Sequence, residues 1–188
     1  MAARDALIYS TIDLMRRHGV AGTGIAAITD HSQVSRRTVY NTFLDGKTEL
    51  VQQAAQVAGV FIGNQIARTL ELPTPQESLA AFITQWKEVV AGSDFAAGCP
   101  IAAAGVARSS EPEIADTAGK TFTRWQEAIS DSLHRHGLPT TTALQLSNTV
   151  LAAVEGAVIM AIAQRSLTPL DDVHSQLDVL LDHHFPGS

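Results

Sequence analysis

The sequence contains very little cysteine: among its 188 residues there is one, Cys99. A single cysteine cannot form a disulfide within the chain, so nothing in the sequence points to an oxidising compartment. Alternating runs of Val, Ile, Thr and Tyr are also nearly absent, whereas long stretches rich in Ala, Leu, Val, Gln and Glu lie between glycines and prolines. This composition predicts an all-α protein, because these residues favour helices and the period-2 pattern of strands is missing.

Segments typical of membrane or secreted proteins are absent as well. The N-terminal stretch MAARDALIYSTIDLMRRHG is charged throughout and lacks the apolar centre and cleavage site of a signal peptide. The most apolar later run, residues 150–163, is shorter than a bilayer requires and contains Glu155. We therefore expect a soluble, cytoplasmic protein.

Charge is distributed unevenly along a chain whose net charge is −6. Residues 1–51 contain six Lys and Arg against five Asp and Glu, and the remaining 137 residues contain seven against fourteen. The asymmetry separates two parts with different electrostatic character. The acidity of the whole chain is therefore only a weak argument against a nucleic-acid partner.

Helical spacing of apolar residues, together with capping and breaking residues, predicts nine helices. We expect Thr23, Ser35 and Thr168 to be the N-caps of the second, third and ninth helices. The predicted domains are residues 1–50 and residues 51–188. The predicted helices cover residues 3–18, 24–31, 35–43, 48–72, 76–90, 99–106, 112–136, 141–165 and a last helix from 168 onwards.

The third helix, SRRTVYNTF from Ser35 to Phe43, concentrates cations, hydroxyls and an amide. Val39 and Phe43 lie four residues apart on one apolar face, which leaves the polar side chains outward. Two short helices joined by a turn and braced by a first helix form a helix-turn-helix, whose second helix lies in the DNA major groove. Arginine can bond guanine, asparagine can bond adenine, and hydroxyls can hold phosphates. For the arginines alone, a solvated helix face is the alternative.

From Gly19 to Leu50 the sequence resembles the DNA-binding domain of TetR-family transcriptional regulators. The segments LDGK and GCPIAAAGVA are similar to the branch of that family that includes the LmrA/YxaF-like repressors. The residues that carry the resemblance are Gly19, Thr23, Ile25, Ile28, Val34-Ser35, Thr38-Val39-Tyr40, Phe43, Lys47 and Leu50.

The sequence also departs from the family pattern. Ser32-Gln33 stands where the family usually has Ala-Gly, so either the turn geometry changes or Gln33 adopts a left-handed conformation with some strain. Gly24 replaces a hydroxyl residue that would contact a phosphate, and Lys47 comes one residue later after Phe43 than is common.

The resemblance implies roles for the polar residues of the N-terminal domain. Ser35, Thr38, Tyr40 and Lys47 would hold phosphates. Arg36, Arg37 and Asn41 would read bases. Thr42 would serve either purpose, and Thr23 completes the predicted DNA-binding set.

An effector-binding domain requires an apolar cavity with a few polar groups. Each aromatic candidate is also compatible with an ordinary core position. Glu155 lies in an apolar run, and it would meet a cationic ligand group, pair with an arginine or lie at a dimer interface. Cys99 is either a small buried residue or a thiol sensor. The predicted ligand-binding residues are Phe61, Gln65, Phe82, Trp86, Val89, Cys99, Phe122, Trp125, Glu155 and Met160.

The eighth and ninth helices are predicted to form a homodimer. Small residues on the eighth helix let a partner helix approach closely, and the ninth helix carries an apolar stripe. In members of the family, these helices form a four-helix bundle across a two-fold axis, which would place two recognition helices on a palindromic operator. The predicted interface residues are Ala152, Ala153, Gly156, Ala157, Leu170, Val173, Leu177 and Leu180.

Signals for enzymatic or metal chemistry are weak. Residues 21–27 match a dinucleotide-binding fingerprint, but a charged helix precedes them where that fold requires a buried strand. The seven histidines do not show metal-ligand spacing with a carboxylate partner. We expect no catalytic residue, no cofactor and no metal.

The sequence therefore predicts a ligand-responsive transcriptional regulator, a repressor that binds palindromic double-stranded DNA as a homodimer and is released by an apolar or aromatic small-molecule effector. One alternative is an activator or a ligand-independent regulator. Another is a helical small-molecule-binding protein that no longer binds DNA.

Overall fold

The computed structural model describes residues 2–186, which form nine α-helices and, within that range, no strand. The prediction of an all-α protein is confirmed, and the predicted helix bounds lie within a few residues of the observed ones. The helices are α1 (Ala3–His18), α2 (Ile25–Ser32), α3 (Arg36–Thr42), α4 (Lys47–Thr69), α5 (Pro75–Gly92), α6 (Pro100–Gly105), α7 (Pro112–Arg135), α8 (Thr140–Gln164) and α9 (Thr168–His184).

The chain divides into two compact units. Unit 1 comprises Met1–Phe61 and Cys99–Phe122, and unit 2 comprises Ile62–Gly98 and Thr123–Ser188. The division falls inside α4 and α7, so each of these helices contributes residues to both units. The boundary expected near residue 50 separates a DNA-binding domain from a ligand-binding and dimerisation domain. That functional division stays a prediction.

In unit 1, α1 packs against α2, α3 and α6. The apolar face of α1 supplies Leu7 and Met15 to a core that α2, α3 and the start of α4 complete. The fully buried residues of this core include Leu7, Met15, Ile28, Val39, Phe43, Leu50 and Val51.

In unit 2, α5 packs against α8 and α9, and α8 packs against α9. α5 begins with a capping box: Thr74 Oγ1 accepts a hydrogen bond from Glu77 N at 3.1 Å, and the Glu77 carboxylate accepts one from Thr74 N at 3.2 Å. Pro75 occupies the first turn, where no backbone N–H is needed. These contacts determine where the helix begins after the Leu72-Pro73 turn.

Two predicted N-caps are wrong. α2 is capped by Gly24, which provides no side-chain hydrogen bond, because the Thr23 hydroxyl donates instead to Gly19 O at 2.7 Å. α9 is capped by Leu167, and Thr168 is already helical. There the Ser166 hydroxyl accepts a hydrogen bond from Thr168 N, the first backbone N–H of the helix, at 3.2 Å.

Burial within the chain corrects two residues of the predicted dimer stripe on α9. Leu170 and Leu177 are buried inside unit 2, while Val173 and Leu180 are half-buried. The apolar face of α9 lies against α5 and α8 of its own chain, because a nearby apolar surface is already available there. Leu170 and Leu177 therefore stabilise the fold of a single chain, and a dimer contact through Val173 and Leu180 stays a prediction. Ala157 of α8 is buried in the same way.

α8 is longer than its most apolar run suggested. It spans 25 residues, and by length and composition alone it would be sufficient to cross a membrane. In this structure 44% of its most apolar window is buried inside the fold, and the core helix of a soluble protein passes the same test. The length of α8 is therefore weak evidence for a membrane span.

Leu170→Ala is predicted to destabilise the protein. Leu170 is fully buried, so the substitution removes apolar contacts and leaves a cavity, with a cost of about 2–5 kcal/mol in the free energy of unfolding. The matched control is Leu44→Ala, because Leu44 is 86% exposed and should change that free energy by less than about 0.5 kcal/mol. Urea denaturation measures both, and equal effects would contradict the assignment of α9 to the core.

Candidate nucleic-acid interface

The interface is built on α2, a tight turn and α3. The turn residue Gln33 has φ 56° and ψ 27°, so it adopts the left-handed conformation, which is the second of the two expectations for this position. Its side chain donates from Nε2 to Asp30 O at 2.6 Å, and this bond holds the side chain over the end of α2. The chain thus makes the turn without the glycine that the family usually has there.

Ser35 is the N-cap of α3, as predicted. Its Oγ accepts a hydrogen bond from Thr38 N at 3.2 Å and lies 2.9 Å from Thr38 Oγ1. The contact between the two hydroxyls uses one of their two hydrogens. The other hydroxyl hydrogen can then be donated to a phosphate oxygen, whichever residue carries it.

The inner face of α3 is anchored by Val39 and Phe43, both of which are fully buried. Because these residues lie four apart, the opposite face of the helix points to solvent. Arg36, Arg37 and Asn41 are all exposed, as expected for residues that could meet base edges.

Arg36 and Tyr40 form a pair on one side of α3. The Arg36 Cζ lies 5.8 Å from the centroid of the Tyr40 ring, within the range of a cation–π contact. Gly46 lies next to this ring and has φ 63°, and a Cβ added there would be 3.2 Å from Tyr40 Cε1. A residue without a side chain is therefore required at Gly46, both for the backbone conformation and for the place of the ring.

Thr42 has a more restricted role than the sequence suggested. Its Oγ1 donates to Thr38 O at 2.8 Å, so its hydrogen is already used inside the helix. In this arrangement the hydroxyl can accept a hydrogen bond from a base amino group, but it cannot donate one to a phosphate.

Thr23 does not belong to this surface. Its side chain is fully buried, and its hydroxyl donates to Gly19 O. The residue closes the turn between α1 and α2, and so we remove it from the predicted DNA-binding set.

Lys47, which the resemblance assigns to a phosphate, is engaged within unit 1. Its Nζ lies 3.3 Å from Glu111 Oε1, and the two side chains are 30% and 25% exposed. Nearby, Gln52 Nε2 donates to Glu113 Oε2 at 3.2 Å. Neither glutamate was predicted from the sequence to belong to the site. The available signal is the acidic segment SSEPEI, residues 109–114, which runs into the first turn of α7.

Unit 2 contains a small cavity of about 40 Å³ between α4, α5, α7, α8 and α9. The residues that line it carry no charge, and its polar groups include the side chains of Thr69, Ser78 and Ser132. Thr69 Oγ1 donates to Ile66 O at 2.7 Å, and Ser78 Oγ donates to Thr74 O at 3.0 Å. The full lining is Ile66, Thr69, Leu70, Pro75, Ser78, Leu79, Phe82, Ile129, Ser132, Leu133, Val150 and Leu181.

The predicted ligand-binding residues do not converge on this cavity. Phe82 lines it, and Trp86 packs edge-on against Phe82 with ring centroids 6.5 Å apart. Phe61, Val89 and Met160 are exposed, so they do not belong to an enclosed pocket in this structure. Sequence reasoning overlooked the buried hydroxyl residues of the cavity, because it searched for aromatic side chains.

The other predicted ligand residues are divided between the two units. Trp125 is buried in unit 2. Its ring lies beside Gly63, and a Cβ added at that glycine would be 3.1 Å from Trp125 Nε1. Gln65 and Glu155 are half-buried in the same unit, and the alternatives for Glu155 stay open.

Phe122 and Cys99 belong to unit 1. Phe122 is half-buried there. The Cys99 thiol is buried and accepts a hydrogen bond from Ala102 N at 3.4 Å, an arrangement that suits a small residue at a helix start. Within residues 2–186, no group of three or more His, Cys, Asp and Glu side chains could hold a metal ion.

A capped recognition helix on a buried apolar anchor, preceded by a short helix and a tight turn, defines a DNA-binding regulator of the helix-turn-helix class. The family profile described as "Transcriptional regulator LmrA/YxaF-like, C-terminal domain" matches residues 75–176. The chain belongs to the TetR family of transcriptional regulators, in its LmrA/YxaF-like branch, and it is not an enzyme.

Relatives with similar sequences extend over nearly the whole chain. An HTH-type transcriptional regulator of Mycobacterium tuberculosis is 32% identical, over 97% of this chain and 96% of its own length. LmrA of Bacillus subtilis, an HTH-type transcriptional regulator, is 25% identical, over 95% of this chain and 96% of its own length.

Solved structures show the same fold at lower identity. A TetR regulatory protein from Rhodobacter sphaeroides has a TM-score of 0.85 at 16% identity, covering 93% of this chain and 96% of its own. A TetR regulator from Legionella pneumophila has a TM-score of 0.84 at 16% identity, covering 96% and 98%. Regulators of this family bind DNA and function as dimers with small-molecule effectors.

Proposed function

We propose that this TetR-family protein is a cytoplasmic repressor that binds a palindromic operator as a homodimer and is released by a neutral small-molecule effector. The observation that carries the proposal is the face of α3 opposite Val39 and Phe43. Arg37 and Asn41 are exposed on this face, while the two apolar residues beneath them are fully buried.

Arg37 and Asn41 are the strongest candidates for base reading. They lie four residues apart, so they share one helix face and are separated by about 6 Å along the axis. That distance corresponds to about two base-pair steps of about 3.4 Å. Arginine bonds guanine bidentately and asparagine bonds adenine, so each half-site should contain a guanine close to an adenine.

Arg36 has a different environment. Its guanidinium lies over the Tyr40 ring, which holds it towards one side of α3. Together with the Ser35 and Thr38 hydroxyls, this pair is suited to the DNA backbone. We therefore move Arg36 from the base-reading group to the phosphate-binding group.

The dimer is proposed to form through the exposed face of α8. Ala152, Ile159 and Ala163 are exposed along one stripe, with half-buried Gly156 between them and exposed Met160 beside them. An apolar stripe with small residues at its centre fits a second copy of the same helix across a two-fold axis. Dimerisation in the family supports a second copy as the occupant.

The effector is proposed to enter the cavity of unit 2. No charged side chain lines this cavity, so a charged ligand would lack a partner there. Thr69 and Ser78 use their hydroxyl hydrogens on backbone carbonyls, so they offer lone pairs to a ligand that donates a hydrogen bond. Drug-sized ligands occupy about 300–1,000 Å³, so the effector is either small or opens the cavity as it enters.

Selection from a pool of random 30-base-pair duplexes tests DNA binding directly. We expect enrichment of a palindrome whose half-sites are separated by about 34–36 Å or a multiple of that distance. Enrichment of no sequence would favour a helical ligand-binding protein over a regulator that reads an operator.

Arg37→Ala is predicted to weaken binding to the selected duplex by about 1–3 kcal/mol and to relax the preference at one position per half-site. The reason is the loss of one bidentate base contact. Arg68→Ala is the matched control, because Arg68 is also exposed but lies at the end of α4. Fluorescence anisotropy measures both affinities, and equal losses would point to general charge rather than base reading.

Ile159→Asp is predicted to separate the dimer, because it would bury a charge between two apolar helix faces. Operator affinity should then fall steeply, since each protomer offers one recognition helix. Val106→Asp serves as the control, because Val106 is 82% exposed and belongs to unit 1. Light scattering gives the oligomeric state, and a dimeric Ile159→Asp variant would exclude this face.

Val150→Leu is predicted to weaken effector binding by placing one more methylene group at the cavity wall. The probes are a panel of alkylphenols and short-chain alcohols, ranked by the rise in melting temperature of the wild-type protein. Val89→Leu is the control, because Val89 is exposed on α5. A compound of the proposed kind should also weaken operator binding about 5- to 150-fold. If a compound raises the melting temperature of both variants equally, the cavity is excluded as its binding site.

A further inference from the structure

Lys47 is held at the start of α4 by a carboxylate from another part of unit 1. Its Nζ lies 3.3 Å from Glu111 Oε1, and neither side chain is more than about a third exposed. The backbone of Glu111 is itself ordered, because its carbonyl accepts a hydrogen bond from Ala115 N at 3.2 Å in the first turn of α7. The pair therefore joins the first turns of two helices.

A second contact joins the same two helix starts. Gln52 Nε2, five residues along α4 from Lys47, donates to Glu113 Oε2 at 3.2 Å. Two contacts in the same place make the arrangement more than a chance rotamer of a long lysine side chain. They also provide an internal comparison, since Glu113 lies in the same turn as Glu111 but pairs with an uncharged amide.

The other carboxylates near the start of α4 have different partners. Glu49 accepts hydrogen bonds from Asp45 N at 3.1 Å and from Gln53 Nε2 at 2.8 Å. Glu111 is therefore the carboxylate that the structure pairs with Lys47.

A carboxylate and a DNA phosphate are both anions that would bind the same ammonium group of Lys47. If Lys47 turns to a DNA phosphate, it leaves Glu111. If it stays between them, two anions are brought within a few ångströms of each other and repel. In both cases Glu111 opposes DNA binding.

We propose that Glu111 competes with a DNA phosphate for Lys47 and thereby lowers the affinity of unit 1 for DNA. The inference rests on the proposed DNA-binding function. Glu111 would then lower the affinity for DNA without contacting DNA itself. By linkage, DNA binding weakens the contact between Lys47 and Glu111, and a change that strengthens this contact weakens DNA binding.

The experiment compares Glu111→Gln with the wild-type protein on the selected duplex, by fluorescence anisotropy at several salt concentrations. Glutamine keeps the shape and the backbone hydrogen bond but removes the charge. We expect binding to tighten about two- to fivefold at low salt, as for the loss of a partly exposed ion pair, with a smaller gain at high salt. Glu113→Gln is the matched control, and we expect a smaller gain from it.

The decisive variant is Glu111→Gln combined with Lys47→Gln. If Glu111 competes for Lys47, adding Glu111→Gln to the Lys47→Gln variant must give no gain in DNA affinity. A gain that persists in the double variant, or an equal gain from Glu113→Gln, would show general charge repulsion and overturn the proposal. Weaker or unchanged binding by Glu111→Gln would overturn it as well, since Glu111 would then orient Lys47 or have no effect.

A further variant guards against a folding defect. Glu111→Ser also removes the carboxylate and places a hydroxyl residue before a helix start, where serine is favoured. It should give the same gain as Glu111→Gln, with an unchanged circular dichroism spectrum. If the wild-type protein binds no duplex, the DNA-binding function fails and the competition fails with it. If the wild-type protein binds and only the Glu111 variants show no gain, the competition alone is wrong.

Discussion

The burial of Val39 and Phe43 under α3 is the constraint on which the DNA-binding surface depends. α3 has seven residues, too few for a helix that would be stable alone in water, so its orientation is set by packing. Both anchors are fully buried against the core of unit 1. Once they are in place, the helix period alone decides that Arg37 and Asn41 point outward. Loss of either anchor would therefore disturb the base-reading face even though neither residue meets DNA.

The same surface shows how a protein of net charge −6 can bind DNA. Its cations are not a uniform basic patch: Arg36 lies over Tyr40, and Lys47 is paired with Glu111. Such an arrangement weakens sequence-independent attraction to phosphates, which supplies most non-specific binding. In the proposed function, base contacts from α3 would then carry a larger share of the affinity. An acidic regulator with few available cations should discriminate well between its operator and other DNA.

α8 has two faces that the sequence alone does not separate. One face is buried against α5 and α9, and the other exposes Ala152, Ile159 and Met160. Leu170 and Leu177 of α9 resemble part of a dimer stripe in sequence, yet they fill the core of unit 2, because an intramolecular apolar surface lies next to them. Burial of apolar area stabilises both kinds of contact equally. Only the path of the chain decides which helix face is left for a second copy.

The sequence by itself determined the local features of this protein: the nine helices within residues 2–186, the N-cap at Ser35 and the outward face of α3. These follow from periodicity and capping chemistry, which act over a few residues and can be seen in the order of the letters. Tertiary structure decided which polar atoms are already occupied. The Lys47–Glu111 pair across 64 positions and the cavity of unit 2 each depend on contacts between distant segments. Such contacts leave no periodic signal, because their geometry arises only when the helices pack.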